Sequence, residues 1–248
     1  MWGIIPAAGA GSRIQPLAFS KELLPVGSRF EGTIERPRAV SEYLVERMIK
    51  GGATKICFII SPGKSDIMEY FGGAAGAAQI CYAVQPEPLG LCDSIFRATP
   101  FIKPDEYLLV GLPDTVWFPE DGFNALGDEG LSFLLFPVEK PELFDAVVLD
   151  GTGRVKEVQV KRPDASTGWV WGSFKVKGAV FTQLFDLWQK RGKTDEYFGT
   201  LVNAWIEKGG RATGVRAGRS YVDVGTINGY REALKLLSAS EKGSGNGR

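Results

Sequence analysis

The sequence predicts an α/β protein whose core is a mixed, largely parallel sheet with helices on both faces. Three observations predict it. The apolar run Trp2 to Pro6 empties directly into the small residues Ala7, Ala8, Gly9, Ala10 and Gly11. Strand-like apolar runs then alternate with segments of helical period. Two hydrophobic runs, at Tyr107 and Tyr221, each lead to an aspartate. Runs that are apolar on both faces suit strands covered on both sides, and alternation with helices suits right-handed βαβ crossovers.

Each element follows from the local pattern. Trp2 to Pro6 is the first strand. Gly27 to Arg38 is polar and glycine-bearing and reads as a long exposed loop. Ala39 to Lys50 places Val40, Tyr43, Leu44, Met48 and Ile49 at helical spacing and stops at Gly51-Gly52. Lys55 to Ile60 is a β-branched strand, Asp66 to Phe71 a short helix, Gly72 to Ala78 a linker, and Ile80 to Val84 the next strand. Gly90 opens a helix through Ile95, Phe96 and Ala98, and Tyr107 to Asp114 is a strand ending in a carboxylate. Leu131 to Val138, Ala146 to Leu149 and Val155 to Val160 read as strands, the last two joined by a turn at Asp150-Gly151. Trp169 to Val176 continues the sheet. Ala179 to Gln189 and Glu196 to Lys208 have helical apolar spacing, Tyr221 to Asp223 is strand, and Ile227 to Leu237 is helix. One domain over residues 1–237 is expected, with the Gly/Ser-rich, charged segment 238–248 as a disordered tail.

Composition narrows the chemistry. The 248 residues carry 29 Lys plus Arg against 29 Asp plus Glu, so no overall positive field gathers nucleic acid or an anionic membrane. Cys57, Cys81 and Cys92 form no C-x-x-C pair and read as reduced core residues. The absence of histidine excludes serine-histidine and cysteine-histidine mechanisms and the usual histidine metal ligands. Carboxylates, cations and metal remain. No basic leader or membrane-length apolar run is present, so cytoplasm is the expected location.

Four stretches carry the candidate chemistry. In Ala8 to Lys21, small residues let backbone N–H groups approach an anion, Gly9 and Gly11 tolerate positive φ, and Arg13 and Lys21 supply cations. Ile14 stands where a dinucleotide fingerprint needs glycine, and no Gly-Lys-Ser/Thr of a Walker loop follows. A tight strand-to-helix turn without a ligand is the alternative. In Gln85 to Ser94, Gln85 sits at a strand's carboxyl end with a donor and an acceptor for a pyrimidine edge, and Gly90 admits a flat base against the backbone. A capped surface turn is the alternative there. Asp114 at the end of an apolar run calls for a cation, with metal as one partner and a turn-capping role as the other reading. Asp223 ends a further strand, ahead of Gly225-Thr226.

Gly9, Gly11-Ser12-Arg13, Pro16 and Lys21-Glu22-Leu23-Leu24-Pro25 resemble the signature of the sugar-1-phosphate nucleotidyltransferases, in particular the glucose-1-phosphate thymidylyl- and uridylyltransferases. The resemblance spans about Met1 to Leu237. It implies the Rossmann-like, nucleotide-diphospho-sugar transferase type of fold, with the site along the strands' carboxyl ends. It implies that Ala8, Gly9, Gly11 and Ser12 wrap the triphosphate, that Arg13 and Lys21 are catalytic, and that Gln85 and Gly90 read uracil or thymine. Asp114 and Asp223 become the magnesium ligands, two carboxylates distant in sequence holding one Mg²⁺ between triphosphate and protein. Phe144, Lys161, Arg162, Gly172 and Tyr221 become the side that faces the sugar phosphate, with Arg162 on the phosphate.

Several positions depart from the family's pattern. Ala8 and Ala10 replace glycine or larger residues, the interval from Arg13 to Lys21 is shortened, and Pro113 replaces a glycine before Asp114. Phe144-Asp145 stands for Tyr-Gly, Lys161-Arg162-Pro163 for Glu-Lys-Pro, and Tyr221 for tryptophan. Lys161 reverses the charge at the sugar-reading position, so the sugar stays open, as does dTTP against UTP. The expected reaction is Mg²⁺-dependent transfer of a nucleotidyl group from a pyrimidine nucleoside triphosphate to a sugar 1-phosphate, releasing pyrophosphate. The alternative is a catalytically weak homologue that binds or senses a nucleotide or nucleotide sugar. Partners are then these two small molecules, without nucleic acid or membrane, and a homo-oligomer is left open.

Overall fold

A computed structural model gives the architecture and describes residues 1–244. In chain order the strands and helices are β1 (Trp2–Pro6), β2 (Pro25–Glu31), β3 (Ile34–Ala39), α1 (Val40–Lys50), β4 (Lys55–Ile60), α2 (Ser65–Phe71), β5 (Ala74–Ala75), β6 (Ala78–Val84) and α3 (Gly90–Phe96). There follow β7 (Tyr107–Gly111), β8 (Thr115–Phe118), β9 (Leu131–Pro137), β10 (Asp145–Leu149), β11 (Val155–Val160), β12 (Trp169–Lys177), α4 (Gly178–Lys190), α5 (Phe198–Glu207), β13 (Ala212–Val215), β14 (Ser220–Asp223) and α6 (Ile227–Ser244).

β1 lies inside a ten-stranded sheet, parallel to β4 on one side and β7 on the other, with β6 parallel beyond β4. Past β7 the sheet turns antiparallel through β12, β10 and β11, while β9 pairs antiparallel with β12 and parallel with β13. The buried faces explain the continuous apolar runs. Ile5, Ile56 and Phe58 pack with Leu44, Val45 and Met48 of α1 and Ile67 of α2. Ile4, Cys57, Leu108 and Phe174 pack on the opposite face with Ile95 of α3, Phe181 and Leu184 of α4 and Leu201 of α5. Helices therefore cover both faces, as expected. Among the described residues no helix is long and apolar enough to cross a membrane.

Three differences from the sequence reading bear on the site. Residues 27–38, expected as a loop, form most of the β2–β3 hairpin, with Glu31 opposite Ile34 across Gly32-Thr33 and Gly32 at φ +63°. A glycine opening a two-residue turn is a hairpin signal, and ion pairs stand in for the missing apolar alternation; Arg29 Nε lies 2.9 Å from Glu42 Oε2. The strand ending in Asp223 is not part of the main sheet. β14 pairs with β8 as a separate antiparallel ribbon, in which Asp223 lies opposite Thr115. Finally, α6 runs on to Ser244, through much of the segment expected as a tail; no proline interrupts it, and Thr226 caps its start by accepting from the Gly229 N–H at 3.1 Å. The rest of that tail, residues 245–248, lies outside the described residues.

Candidate active site

The loop after β1 is held at its root, where the Ala7 N–H donates to the Ile59 carbonyl at 2.8 Å, and is exposed at Gly9, Ala10, Ser12 and Arg13. Ala8 is buried, so of the small residues it serves packing. Gly11 adopts φ +65°, and a Cβ there would come within 2.7 Å of the Lys21 stem. Glycine is thus required both by conformation and by the lysine that crosses it. A Cβ on Gly9 would meet nothing within 4 Å, so that glycine leaves open space above the backbone.

The ribbon brings the two aspartates together. Asp114 immediately precedes β8 and Asp223 ends β14, and the Val224 N–H donates to the Asp114 carbonyl at 2.8 Å. A methyl group at Gly225 would sit 2.8 Å from Asp223 Oδ1, 3.0 Å from Arg13 Nη2 and 3.3 Å from Asp114 Oδ2. Both carboxylates and the arginine therefore converge on one point that only glycine leaves free. Lys21 Nζ is ion-paired with Asp114 Oδ2, and Arg13 Nη2 lies 3.2 Å from Asp223 Oδ2. Asp114 does not sit at a strand tip, because β7 ends at Gly111 and Leu112-Pro113 intervene.

Electrostatics distinguish the two acids. Burial works against the Asp114 carboxylate, yet the charge and hydrogen bond of Lys21 outweigh it and hold its pKa below the ordinary value. Asp223 is pushed upward, by burial first and then by the Asp114 charge, more than Arg13 and Lys21 offset. Burial lowers the affinity of Lys21 for its proton, but Asp114 and then Glu22 more than compensate, so it stays a cation. Two acids that raise each other's cost of ionisation make a place where added positive charge is stabilised.

Among the described residues no three Cys, Asp or Glu side chains cluster as a metal cage. Two aspartates facing one gap fit Mg²⁺ in the mode where the ion keeps waters and takes the remaining oxygens from a substrate's phosphates. The donor set is oxygen-only and hard, which suits that ion. Asp114 and Asp223 are the residues that would hold it.

Next to this point is a cavity of about 310 Å³, lined by Pro6, Gly9, Lys21, Gln85, Gly90 and Asp114 among others. Gln85 is buried, and its amide donates to the Gly90 carbonyl at 3.2 Å and to Asp93 Oδ2 at 2.8 Å. Both amide hydrogens are committed, so the expected donor role is not available. The carbonyl oxygen remains, an acceptor for a ring N–H. Gly90, at φ +89°, is packed rather than open: a Cβ would lie 2.8–3.0 Å from Glu196, whose carbonyl accepts from the Leu91 N–H.

The expected sugar side divides. The Tyr221 ring packs against Phe136, tilted at 5.1 Å, and edge-on against Phe144 at 5.7 Å, and a side chain on Gly172 would collide with Tyr221 and Phe136. Burial, then Asp223 and Asp114, raise the Tyr221 phenol well above its ordinary pKa, so it stays neutral beside the acids. Asp145 accepts from Trp171 Nε1 at 3.3 Å, and burial raises its pKa against the pull of Trp171 and Lys161. Lys161, at φ +45°, places Nζ 4.4 Å from the Tyr197 ring. Arg162 goes elsewhere. It pairs with Glu157 at 3.0 Å and Asp164 at 2.8 Å, beside a separate cavity shared with Arg191. Lys161 follows the end of β11 with a positive φ, and Arg162 after it is held by these two carboxylates in the ligand-free chain.

Sequence reasoning passed over Gly225 as a contact surface, Asp145 as a buried acid, and Lys64 and Asp66, which hold the segment around Lys21. Asp145 carried a signal, an acid opening an otherwise apolar strand. Lys64 and Asp66 carried none that local pattern could read.

The nucleotidyl transferase family profile matches residues 2–240. The chain belongs to the nucleotidyl transferase family. It is 30% identical over 176 residues to a low-salt glycan biosynthesis nucleotidyltransferase of Haloferax volcanii, covering 66% of this chain and 45% of that protein. It is 24% identical over 247 residues to a glucose-1-phosphate thymidylyltransferase of Neisseria meningitidis, covering 96% of this chain and 82% of that one. The chain therefore spans less than half of the first relative and most of the second. In fold it is similar to a putative glucose-1-phosphate thymidylyltransferase from Bacillus anthracis, with TM-score 0.77, 24% identity and 95% of each chain covered. A UTP-bound UGPase from Acinetobacter baumannii gives TM-score 0.75 at 16% identity, covering 95% of this chain and 92% of that one. These nucleotidyl transferases share the mixed, largely parallel sheet of this chain.

Proposed function

We propose that this nucleotidyl transferase moves a nucleotidyl group from a pyrimidine nucleoside triphosphate, dTTP or UTP, to a sugar 1-phosphate. The single observation that carries the reading is the convergence of Asp114, Asp223 and Arg13 on the space at Gly225, with Lys21 on Asp114. Mg²⁺ bound there would neutralise the triphosphate and hold it against the protein. The relatives' names, thymidylyl- and uridylyltransferases acting on glucose 1-phosphate among them, support the same substrate classes.

Beyond the charge neutralisation that Mg²⁺ would supply, the chain's own groups provide the rest of the chemistry. A phosphate oxygen of the sugar 1-phosphate attacks the α-phosphorus, a new P–O bond forms, the bond to the β-phosphate oxygen breaks, and pyrophosphate leaves with the bonding pair. The nucleophile is already ionised, so no general base is needed, in keeping with a chain without histidine. Lys21, freed from Asp114, neutralises the attacked phosphate, and Arg13, exposed on the loop, reaches the leaving pyrophosphate. Gln85 accepts the ring N–H of uracil or thymine. Lys161 and Asp145, beside Tyr197 and Trp171, are the polar groups left to meet the sugar.

Pyrophosphate release in the presence of Mg²⁺, with dTTP, UTP, CTP, ATP and GTP crossed against a panel of sugar 1-phosphates, tests the reading. Turnover with dTTP or UTP and at least one sugar supports it. Binding without turnover on every pair would instead favour a nucleotide or nucleotide-sugar sensor.

A further inference from the structure

The segment that carries the cations is tied down from outside. Lys64, immediately before α2, is buried, and its ammonium donates to the Ala7 carbonyl at 2.7 Å and to both Glu22 carboxylate oxygens at 2.8 Å. Ala7 is where β1 releases the loop and Glu22 is where the loop ends, directly after Lys21. One ammonium group thus joins both ends of the stretch that bears Arg13 and Lys21. All of its protons are used, so none is left for a ligand.

A second clamp comes from the same turn. Asp66 accepts from the Ser20 N–H and the Ser20 hydroxyl, both at 2.6 Å. Residues on either side of Lys21 are therefore fixed by the start of α2. From α1, Ser41 adds a hydrogen bond to the Glu22 carbonyl at 2.7 Å. Burial raises the Glu22 pKa and lowers that of Lys64, which shows the environment working against both charges. Buried pairs of this kind contribute little net stability compared with apolar side chains of similar volume. Stability alone does not account for the pair.

We propose that Lys64 is a positioning residue: it closes the anion-binding loop by holding Ala7 and Glu22 together, and so sets where Lys21 and Arg13 stand. It touches no substrate. Its kinetic consequence rests on the nucleotidyl-transfer reading, whereas its effect on the loop does not.

Lys64→Met alone strands a buried Glu22, so the test uses the double variant Glu22→Leu/Lys64→Met, with Lys64→Arg as the second. The first measurement is amide hydrogen exchange over residues 8–22. In the double variant exchange in this stretch rises by about tenfold or more while the central strands keep their protection, and Lys64→Arg lies between it and wild type. The second measurement is turnover: kcat falls about 100-fold with the KM for the sugar 1-phosphate within about twofold, as expected of displaced rather than missing groups. Unchanged exchange in the loop overturns the proposal. So does a rise spread across the whole chain in parallel with a fall in Tm, in the double variant and in Lys64→Arg alike. If the wild-type chain releases no pyrophosphate from any substrate pair, the transfer reading fails, and the exchange comparison still decides the role of Lys64.

Discussion

Gly225→Ala is the sharpest perturbation of the site, because the added methyl lands where the two carboxylates meet. Its distances would be 2.8 Å to Asp223 Oδ1, 3.0 Å to Arg13 Nη2 and 3.3 Å to Asp114 Oδ2. Gly225 does not have a left-handed φ, so backbone strain is not the reason for any effect. Asp223 is also bonded to the Gly225 N–H at 2.6 Å and cannot swing away without losing that bond. Overpacking of this kind costs about 1–3 kcal/mol, and a shift of about 1 Å in a catalytic group costs about 100-fold in rate. At roughly 2–4 °C per kcal/mol for a chain of this size, Tm should fall by no more than about 12 °C. The variant should therefore stay folded at 25 °C, lose about 100-fold or more in metal-dependent pyrophosphate release, and bind Mn²⁺ more weakly in the presence of UTP. Wild-type turnover and wild-type Mn²⁺ affinity in folded Gly225→Ala would refute the placement of the metal between Asp114 and Asp223.

Lys21→Met should lower kcat by about 10²–10³-fold, equivalent to about 2.7–4 kcal/mol, and should also lower Tm because the buried Asp114 carboxylate loses its ammonium partner, as steady-state kinetics and calorimetry will show. Gly9→Ala should leave Tm unchanged, since its Cβ meets nothing within 4 Å, while triphosphate affinity measured by titration calorimetry falls. Arg162→Ala should keep kcat within about threefold of wild type if its guanidinium stays engaged with Glu157 and Asp164 during turnover, whereas Lys161→Ala should raise the KM for the sugar 1-phosphate. Glu106 holds its proton weakly: burial opposes ionisation, but hydrogen bonds from Lys55, the Lys103 N–H and Trp2 outweigh it and bring its pKa to about 2. A depressed carboxylate contributes stability above its unfolded pKa of 4.5 and loses it as pH falls toward 2. Glu106→Gln should thus lower Tm at pH 7, with the gap to wild type closing as pH falls from about 4.5 to about 2.

The centre of the sheet was legible because β1, β4 and β7 are buried on both faces and so read as unbroken apolar runs. What local pattern could not show was pairing between distant segments. β8 is only Thr115–Phe118, and its partner β14 lies about a hundred residues on, so the ribbon that joins Asp114 to Asp223 has no local signature. The acids themselves were visible, as charges at the ends of hydrophobic runs. Lys161 and Arg162 illustrate the opposite failure. Both follow the end of β11, and neither the positive φ of Lys161 nor the pairing of Arg162 with Glu157 and Asp164 has a signature in the local pattern. Lys64 and Glu22 are ordinary charged residues in sequence, and only burial distinguishes them from a solvated surface pair.

Counting Mn²⁺ bound per chain by electron paramagnetic resonance in the presence of UTP, for wild type, Asp114→Asn and Asp223→Asn, tests the shared-ion site most directly. One ion per wild-type chain is expected, with affinity reduced about tenfold or more in each variant, since each removes one of two protein ligands. Wild-type Mn²⁺ affinity in either variant would contradict it, and the two aspartates would then be partners of Lys21 and Arg13 alone.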